Sequence, residues 1–246
     1  MDCQLSLTSL ITLTSLADTN QFRSLRSLHL RIFSSVTLEN IGDALDSPTS
    51  LFLQALPPLN RLSLTNYFGV LTLSVILAHH GPTLHSLHLA PNPKTTTTSS
   101  LITFHRSTTP PFYHSATIVA QIATHCPRLE YLGLPVQRQQ GGPQEVAAYR
   151  ALGKLRRLER VELFLNCGVL PVLVLGCAGS AAEEAQAERE AEAEFLRKLM
   201  VNSAVDEVLA RAIFGEIAGA GGVLLERLGV KPAVPAFLAS KWSIMR

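Results

Sequence analysis

Aromatic side chains are scarce in this chain: 10 Phe, 4 Tyr and 1 Trp make up 6% of its 246 residues. Charge is scarce too, at 16%, against about 25% in an ordinary globular domain. With 47% hydrophobic residues, that shortage excludes disorder as the dominant state. Neither sign of charge dominates. Twenty-one Lys and Arg face 19 Asp and Glu, so the chain lacks the cation surplus with which proteins displace counterions from nucleic acid, and no nucleic-acid partner is expected. The four cysteines, Cys3, Cys126, Cys167 and Cys177, show no C-x-x-C spacing and no Cys/His metal pattern, which excludes a zinc module or a disulfide framework. There is no Asn-x-Ser/Thr acceptor site. Reduced thiols in a cytoplasmic or nuclear protein are therefore expected.

Catalytic signatures are missing as well. The sequence has no Gly-x-Ser-x-Gly elbow and no phosphate-binding Gly-x4-Gly-Lys-Ser/Thr loop. Gly219-Ala-Gly-Gly-Val-Leu224 lacks the third glycine of a dinucleotide fingerprint and follows a helical pattern instead of a strand. His79, His80, His85 and His88 form the one dense histidine cluster, but no carboxylate or cysteine lies nearby in sequence to complete a metal set. Cations and histidines near a helix C-terminus are favoured by its dipole, which accounts for the cluster without a metal. Cys126 follows His125 directly, and adjacent side chains at a helix end point apart. The expectation is no enzyme: no catalytic residue, no cofactor and no metal. Long apolar runs are also wanting. Leu163 to Ala182 carries no charge but is interrupted by Asn166, Gly168, Pro171, Gly176 and Gly179. It reads as a repeat strand followed by an apolar loop, since a helical span needs about 20 apolar residues. A membrane-tethered protein anchored by this segment stands as the alternative.

Leucine is what the chain has in quantity, 41 of 246 residues. Much of it falls into the pattern Leu-x-x-Leu-x-Leu, at Leu25/Leu28/Leu30, Leu59/Leu62/Leu64, Leu84/Leu87/Leu89 and Leu129/Leu132/Leu134. Leu158/Val161/Leu163 repeats it with one valine; Leu225/Leu228/Val230 reads as a last copy and Leu5/Leu7 as a frayed first one. Aligned on their final positions, the copies lie 23, 34, 25, 45, 29 and 67 residues apart. Leucine-rich repeats run about 20–29 residues, so three intervals carry insertions. Helical patterns between the copies cover Val70 to His80, Ala116 to His125 and Gln144 to Leu152, with Pro143 as a helix start. A further helix is predicted from Ala204 to Ile217, opened by Ser203 with Asp206 as a capping box.

These periods predict an α/β fold: an irregular leucine-rich-repeat solenoid with parallel strands on the concave face and helices on the convex face. The solenoid is placed at 1–166, with a loop insertion at 91–111. An apolar loop and an Ala/Glu-rich insertion occupy 167–202, a terminal helix and the last repeat strand 203–230, and a C-terminal tail 231–246. Strand side chains alternate, so the leucines point inward and an opposite set points out. That set is Ser27, His29, Arg31, Arg61, Ser63, Thr65, Ser86, His88, Ala90, Tyr131, Gly133, Pro135, Arg160, Glu162 and Phe164. Arg61, His88, Tyr131, Arg160 and Glu162 are the candidate contacts for a protein partner, because aromatic and arginine side chains dominate binding hot spots.

Two segments add a resemblance. Ala78-His-His-Gly-Pro-Thr-Leu-His-Ser-Leu-His-Leu89 resembles a repeat junction of the fungal F-box-like leucine-rich-repeat proteins. Ile122-Ala-Thr-His-Cys-Pro-Arg-Leu-Glu-Tyr-Leu-Gly-Leu134 is similar to the repeat start of the same group. Tyr149 to Leu163 and Asn202 to Phe214 also resemble it, so the likeness covers most of residues 22–230. In that family an F-box binds the adaptor of a cullin-type ubiquitin ligase while the repeats hold the substrate. The resemblance thus implies the substrate-recognition repeats of a ligase receptor, with the adaptor as a further partner if an F-box lies upstream. No F-box is visible before Leu25. The expectation is either a fragment or truncated product lacking it, or a repeat scaffold with no ubiquitin link.

Overall fold

A computed structural model of the chain describes residues 2–5, 22–32, 41–65, 69–90, 116–167, 201–221 and 224–233, with isolated helical positions between 186 and 197. The expected insertion at 91–111, most of the segment 167–202, and residues 234–246 of the expected tail lie outside the described residues.

Seven strands form one open sheet in chain order. They are β1 (Asp2–Leu5), β2 (Ser27–Ile32), β3 (Arg61–Thr65), β4 (Ser86–Ala90), β5 (Tyr131–Gln137), β6 (Arg160–Asn166) and β7 (Arg227–Ala233). Every neighbouring pair is parallel. The fold is therefore α/β with a parallel sheet, as the leucine spacing predicts. The motif explains its register: Leu28, Leu62, Leu87, Leu132, Val161 and Leu228 stand opposite one another from strand to strand. Of these, the first five are at most 2% exposed. Each buried leucine contributes roughly 1.5–3 kcal/mol, so a slip by one residue would turn this whole rank to water.

The leucine copies also share a backbone device at each strand start. Arg26, Asn60, His85, Glu130 and Glu159 each offer one carbonyl to two successive N–H groups of the next strand, at 2.8–3.2 Å. Just before it, the first leucine of the motif turns back: the N–H groups of Leu25, Leu84, Leu129 and Leu158 donate to the carbonyl three residues earlier. Leu59 is the exception among these copies. Pro57 and Pro58 precede it, and a proline at the third position of such a turn forces its neighbour out of the helical region. Leu59 N donates instead to the ring of His80, at 3.3 Å.

Helices cover the leucine side of the sheet: α1 (Ile41–Ala55), α2 (Val70–Val75) running into a π-helical turn (Ile76–His80), α3 (Ala116–His125), α4 (Pro143–Leu152) and α5 (Glu207–Gly219). Leu53, Leu56, Ile76, Val119, Ile122, Leu152 and Ile217 are buried in one core with the strand leucines. Four sequence expectations need correction. Helix α1 has no counterpart in the sequence reading, which assigns no helix between Leu30 and Leu59; the helix forms there with Pro48 inside it. Helix α5 begins at Glu207 rather than Ala204, since Asp206 is itself the cap and accepts from Leu209 N at 2.8 Å. β1 is set with Cys3, not Leu7, opposite Leu30. At the far end β7 continues to Ala233, past the expected stop at Val230, and pairs with β6 residue for residue. Its Pro232 is tolerated because β7 is an edge strand.

Candidate functional site

The side of the sheet away from the helices carries the outward set predicted by alternation, and register sorts it into ranks. Ser27, Arg61, Ser86, Tyr131, Arg160 and Arg227 form the first rank; His29, Ser63, His88, Gly133, Glu162 and Gly229 form the second. Further along the strands, Pro135, Phe164 and Lys231 stand opposite one another. Most of these residues are exposed or half-buried, whereas Thr65, Ala90, Gly133 and Pro135 are buried.

Three of the five candidate contacts meet on this face. The His88 ring bonds through Nδ1 to the Tyr131 hydroxyl at 2.9 Å, and that hydroxyl donates to Glu162 Oε2 at 2.7 Å. Glu162 Oε1 is ion-paired with Lys231 Nζ. Because the single phenol proton goes to Glu162, His88 supplies the proton of its own bond. Its Nδ1 is therefore the N–H nitrogen, and Nε2 carries the lone pair. Phe164 closes one side, edge-on to the His88 ring at 5.5 Å, with Lys231 Nζ at 5.9 Å from its centre.

Gly133 explains how His88 reaches Tyr131 on the next strand. A Cβ at Gly133 would stand 2.5 Å from His88 Nδ1. Gly133→Ala is accordingly expected to push His88 off the Tyr131 hydroxyl and to cost about 1–3 kcal/mol as a small-to-large change. Imidazole nitrogen shifts check this: loss of the Nδ1–H signature is expected, and an unchanged tautomer would count against it.

The electrostatics keep the imidazole neutral, the phenol protonated and the carboxylate ionised. Burial lowers the pKa of His88, and Glu162 only partly offsets this. Burial also raises that of Tyr131, and its bond to the Glu162 carboxylate raises it further, so the phenol stays protonated. For Glu162 burial alone would raise the pKa, but Lys231 and Tyr131 outweigh it and the net shift is downward. The group can present a carboxylate, an imidazole lone pair and two ring faces to a partner.

Arg61 and Arg160 stand apart from this group. Both are exposed, in the first rank, with Arg160 beside Tyr131 on one side and Arg227 on the other. The sequence reading misses Arg227 because its outward list ends at Phe164 and omits the last strand, and misses Lys231 because it stops that strand at Val230; alternation around Leu228 and Val230 finds both. Phe164 and Gly133 were on the outward list but not among the candidate contacts.

The remaining suspects have structural duties. His79 Nε2 bonds to Leu56 O at 2.8 Å and His80 Nε2 to Leu53 O at 3.0 Å, so both rings cap the carbonyl end of α1. His85 bonds to Thr83 O at 2.9 Å. His79 and His80 thus serve the preceding helix rather than the dipole of their own. Among the described residues no three His, Cys, Asp or Glu side chains are grouped to hold a metal. Cys126 is buried and its thiol is pushed up to about 12 by desolvation, that of Cys167 to about 11. Among the described residues, no helix is long and apolar enough to cross a membrane. β6 also takes Leu163 to Asn166 out of the uncharged stretch that ends at Ala182. The chain matches no family model, no curated protein and no solved structure.

Proposed function

We propose that the chain is a leucine-rich-repeat solenoid whose outward sheet face binds a protein partner without catalysis. The observation that carries the reading is the relay from His88 through Tyr131 and Glu162 to Lys231, which fixes four side chains from four successive strands on one accessible surface. Such pre-ordering lowers the entropy lost when a partner docks. The shared strand-start hydrogen bonds at Arg26, Asn60, His85, Glu130 and Glu159 support the solenoid, since each unit buries its leucines only against its neighbours. Within this reading the resemblance to F-box-like repeat proteins assigns the partner as the substrate of a ubiquitin ligase; the other form of the proposal is a scaffold with no ubiquitin link.

A tagged chain purified from its native cells separates the two forms. Adaptor and cullin subunits among the co-purifying proteins would support the ligase role, and reproducible partners without them would support the scaffold. The double substitution Tyr131→Ala with Arg160→Ala is expected to reduce partner recovery by at least about tenfold, as loss of hot-spot side chains does, with the fold intact by circular dichroism. Undiminished recovery by the folded double variant would refute the binding face.

A further inference from the structure

The chemistry of the partner can be narrowed from the charges on this face, an inference that rests on the face being the binding surface. At the outward positions of β2 to β7 stand five cations, Arg31, Arg61, Arg160, Arg227 and Lys231, and a single carboxylate, Glu162. That carboxylate is already engaged by Tyr131 and Lys231. Arg160 and Arg227 are register partners on adjacent strands and both are exposed. Like charges directly opposite each other destabilise a sheet. Among the described residues, no carboxylate lies within ion-pair distance of either, or of Arg61. Two adjacent guanidinium groups of this kind are relieved by an anion that both can hold.

The spacing limits what kind of anion fits. Arg61 and Arg160 lie in one rank on β3 and β6, three strand spacings or roughly 14 Å apart. Glu130, Glu159 and Glu226 sit one residue before the rank, at the strand starts. The chain as a whole has only a small cation surplus, 21 Lys and Arg against 19 Asp and Glu, too little to hold a continuous polyanion such as a nucleic-acid strand, whereas the few arginines of this face match a few separated carboxylates. The rings of His88, Tyr131 and Phe164 lie beside the arginines and offer an apolar surface.

We propose that this face takes an acidic peptide segment of the partner: one Asp or Glu is held jointly by Arg160 and Arg227, another meets Arg61, and an apolar side chain rests on the ring cluster. The test is selection of a random dodecapeptide display library on the full chain, followed by binding titrations with the enriched peptides and with an oligouridine RNA. Enriched peptides are expected to carry Asp or Glu with an apolar residue and to weaken as salt rises. They are expected to lose about tenfold in affinity to Arg160→Ala/Arg227→Ala, two exposed charge pairs, and to keep most of it with Arg160→Lys/Arg227→Lys. Enrichment without acidic bias, yet sensitive to Tyr131→Ala, would overturn the acidic segment while leaving the binding face standing. Oligouridine binding with the same arginine dependence, and no acidic peptides, would overturn it in favour of nucleic acid. No peptide sensitive to any substitution on the face would overturn both.

Discussion

Replacing His80 with leucine is expected to destabilise the fold by about 2 kcal/mol and to abolish a large part of its acid sensitivity. His80 is fully buried and bonds on both sides, to Leu53 O through Nε2 and from Leu59 N through Nδ1. Leucine fills a similar volume but leaves the Leu59 N–H without a partner and Leu53 O with only its bond from Leu56 N at 3.2 Å, and an orphaned buried group costs about 1–3 kcal/mol. The turn that satisfies the equivalent N–H at Leu25, Leu84, Leu129 and Leu158 is closed to Leu59 by Pro57 and Pro58, so the backbone cannot compensate. Burial, helped by neighbouring His79, lowers the pKa of His80 from 6.5 to about 4. As pH falls the unfolded chain therefore takes up the proton first. The His80 contribution is complete above pH 6.5 and declines toward pH 4, by about 3 kcal/mol in total. Urea unfolding across this range checks both parts: the wild-type chain should lose stability steeply and His80→Leu should follow a flatter line. Parallel slopes would refute the role of His80.

Glu145→Ala is expected to cost about 3–5 kcal/mol, the usual penalty for leaving one member of a buried ion pair alone. Glu145 is 2% exposed in the first turn of α4. Its Oε1 accepts from Arg138 Nη1 and from the Tyr149 hydroxyl, both at 2.6 Å. Its Oε2 accepts from Gln139 N at 2.7 Å and Gly141 N at 2.9 Å. One carboxylate thus ties the end of β5 to α4 and holds the intervening turn, where Gln140 and Gly141 have φ of 53° and 80°. Burial alone would raise its pKa; the bonds from Tyr149, Gly141, Gln139 and Arg138 outweigh it and lower the pKa. The stabilisation is therefore present above the unfolded carboxyl value and is lost as pH falls through the lower folded one. Glu145→Gln, which keeps the volume but not the charge, should recover part of the loss. Equal stability of Glu145→Ala and the wild-type chain in urea would show that the four bonds contribute nothing.

How much of this was legible in the sequence follows from which signals are local. The strands were legible because Leu-x-x-Leu-x-Leu states both period and face, and the outward list from Ser27 to Phe164 followed from alternation alone. Convergence of His88, Tyr131 and Glu162 was half legible. Register placed them in neighbouring ranks, but their bonding depends on the missing Cβ at Gly133 and on Lys231. Lys231 falls in the segment read as a tail, 231–246, because the leucine motif itself ends at Val230. The sequence reading assigns no element to α1, although Leu45, Phe52, Leu53 and Leu56 follow helical spacing on either side of Pro48. Without α1, the reason for His79 and His80 was invisible, since the carbonyls they cap belong to it. Glu145 and Tyr149 stand four apart on one helix face, a readable pair. The N–H groups that join them come from a turn that Gly141-Gly142-Pro143 signals locally, but nothing local shows that its N–H groups meet the Glu145 carboxylate.

The central claim is that the partner docks on the outward sheet face, and hydroxyl-radical footprinting of the chain with and without its co-purified partner tests it most directly. Tyr131, Phe164 and His88 are oxidisable reporters on that face. Leu51, Val70 and Leu71, each more than half exposed on α1 and α2, report the helical side. Protection of the three ring residues with unchanged oxidation of the three aliphatic ones is the expected result. Protection confined to Leu51, Val70 and Leu71, with Tyr131 and Phe164 oxidised as in the free chain, would contradict it.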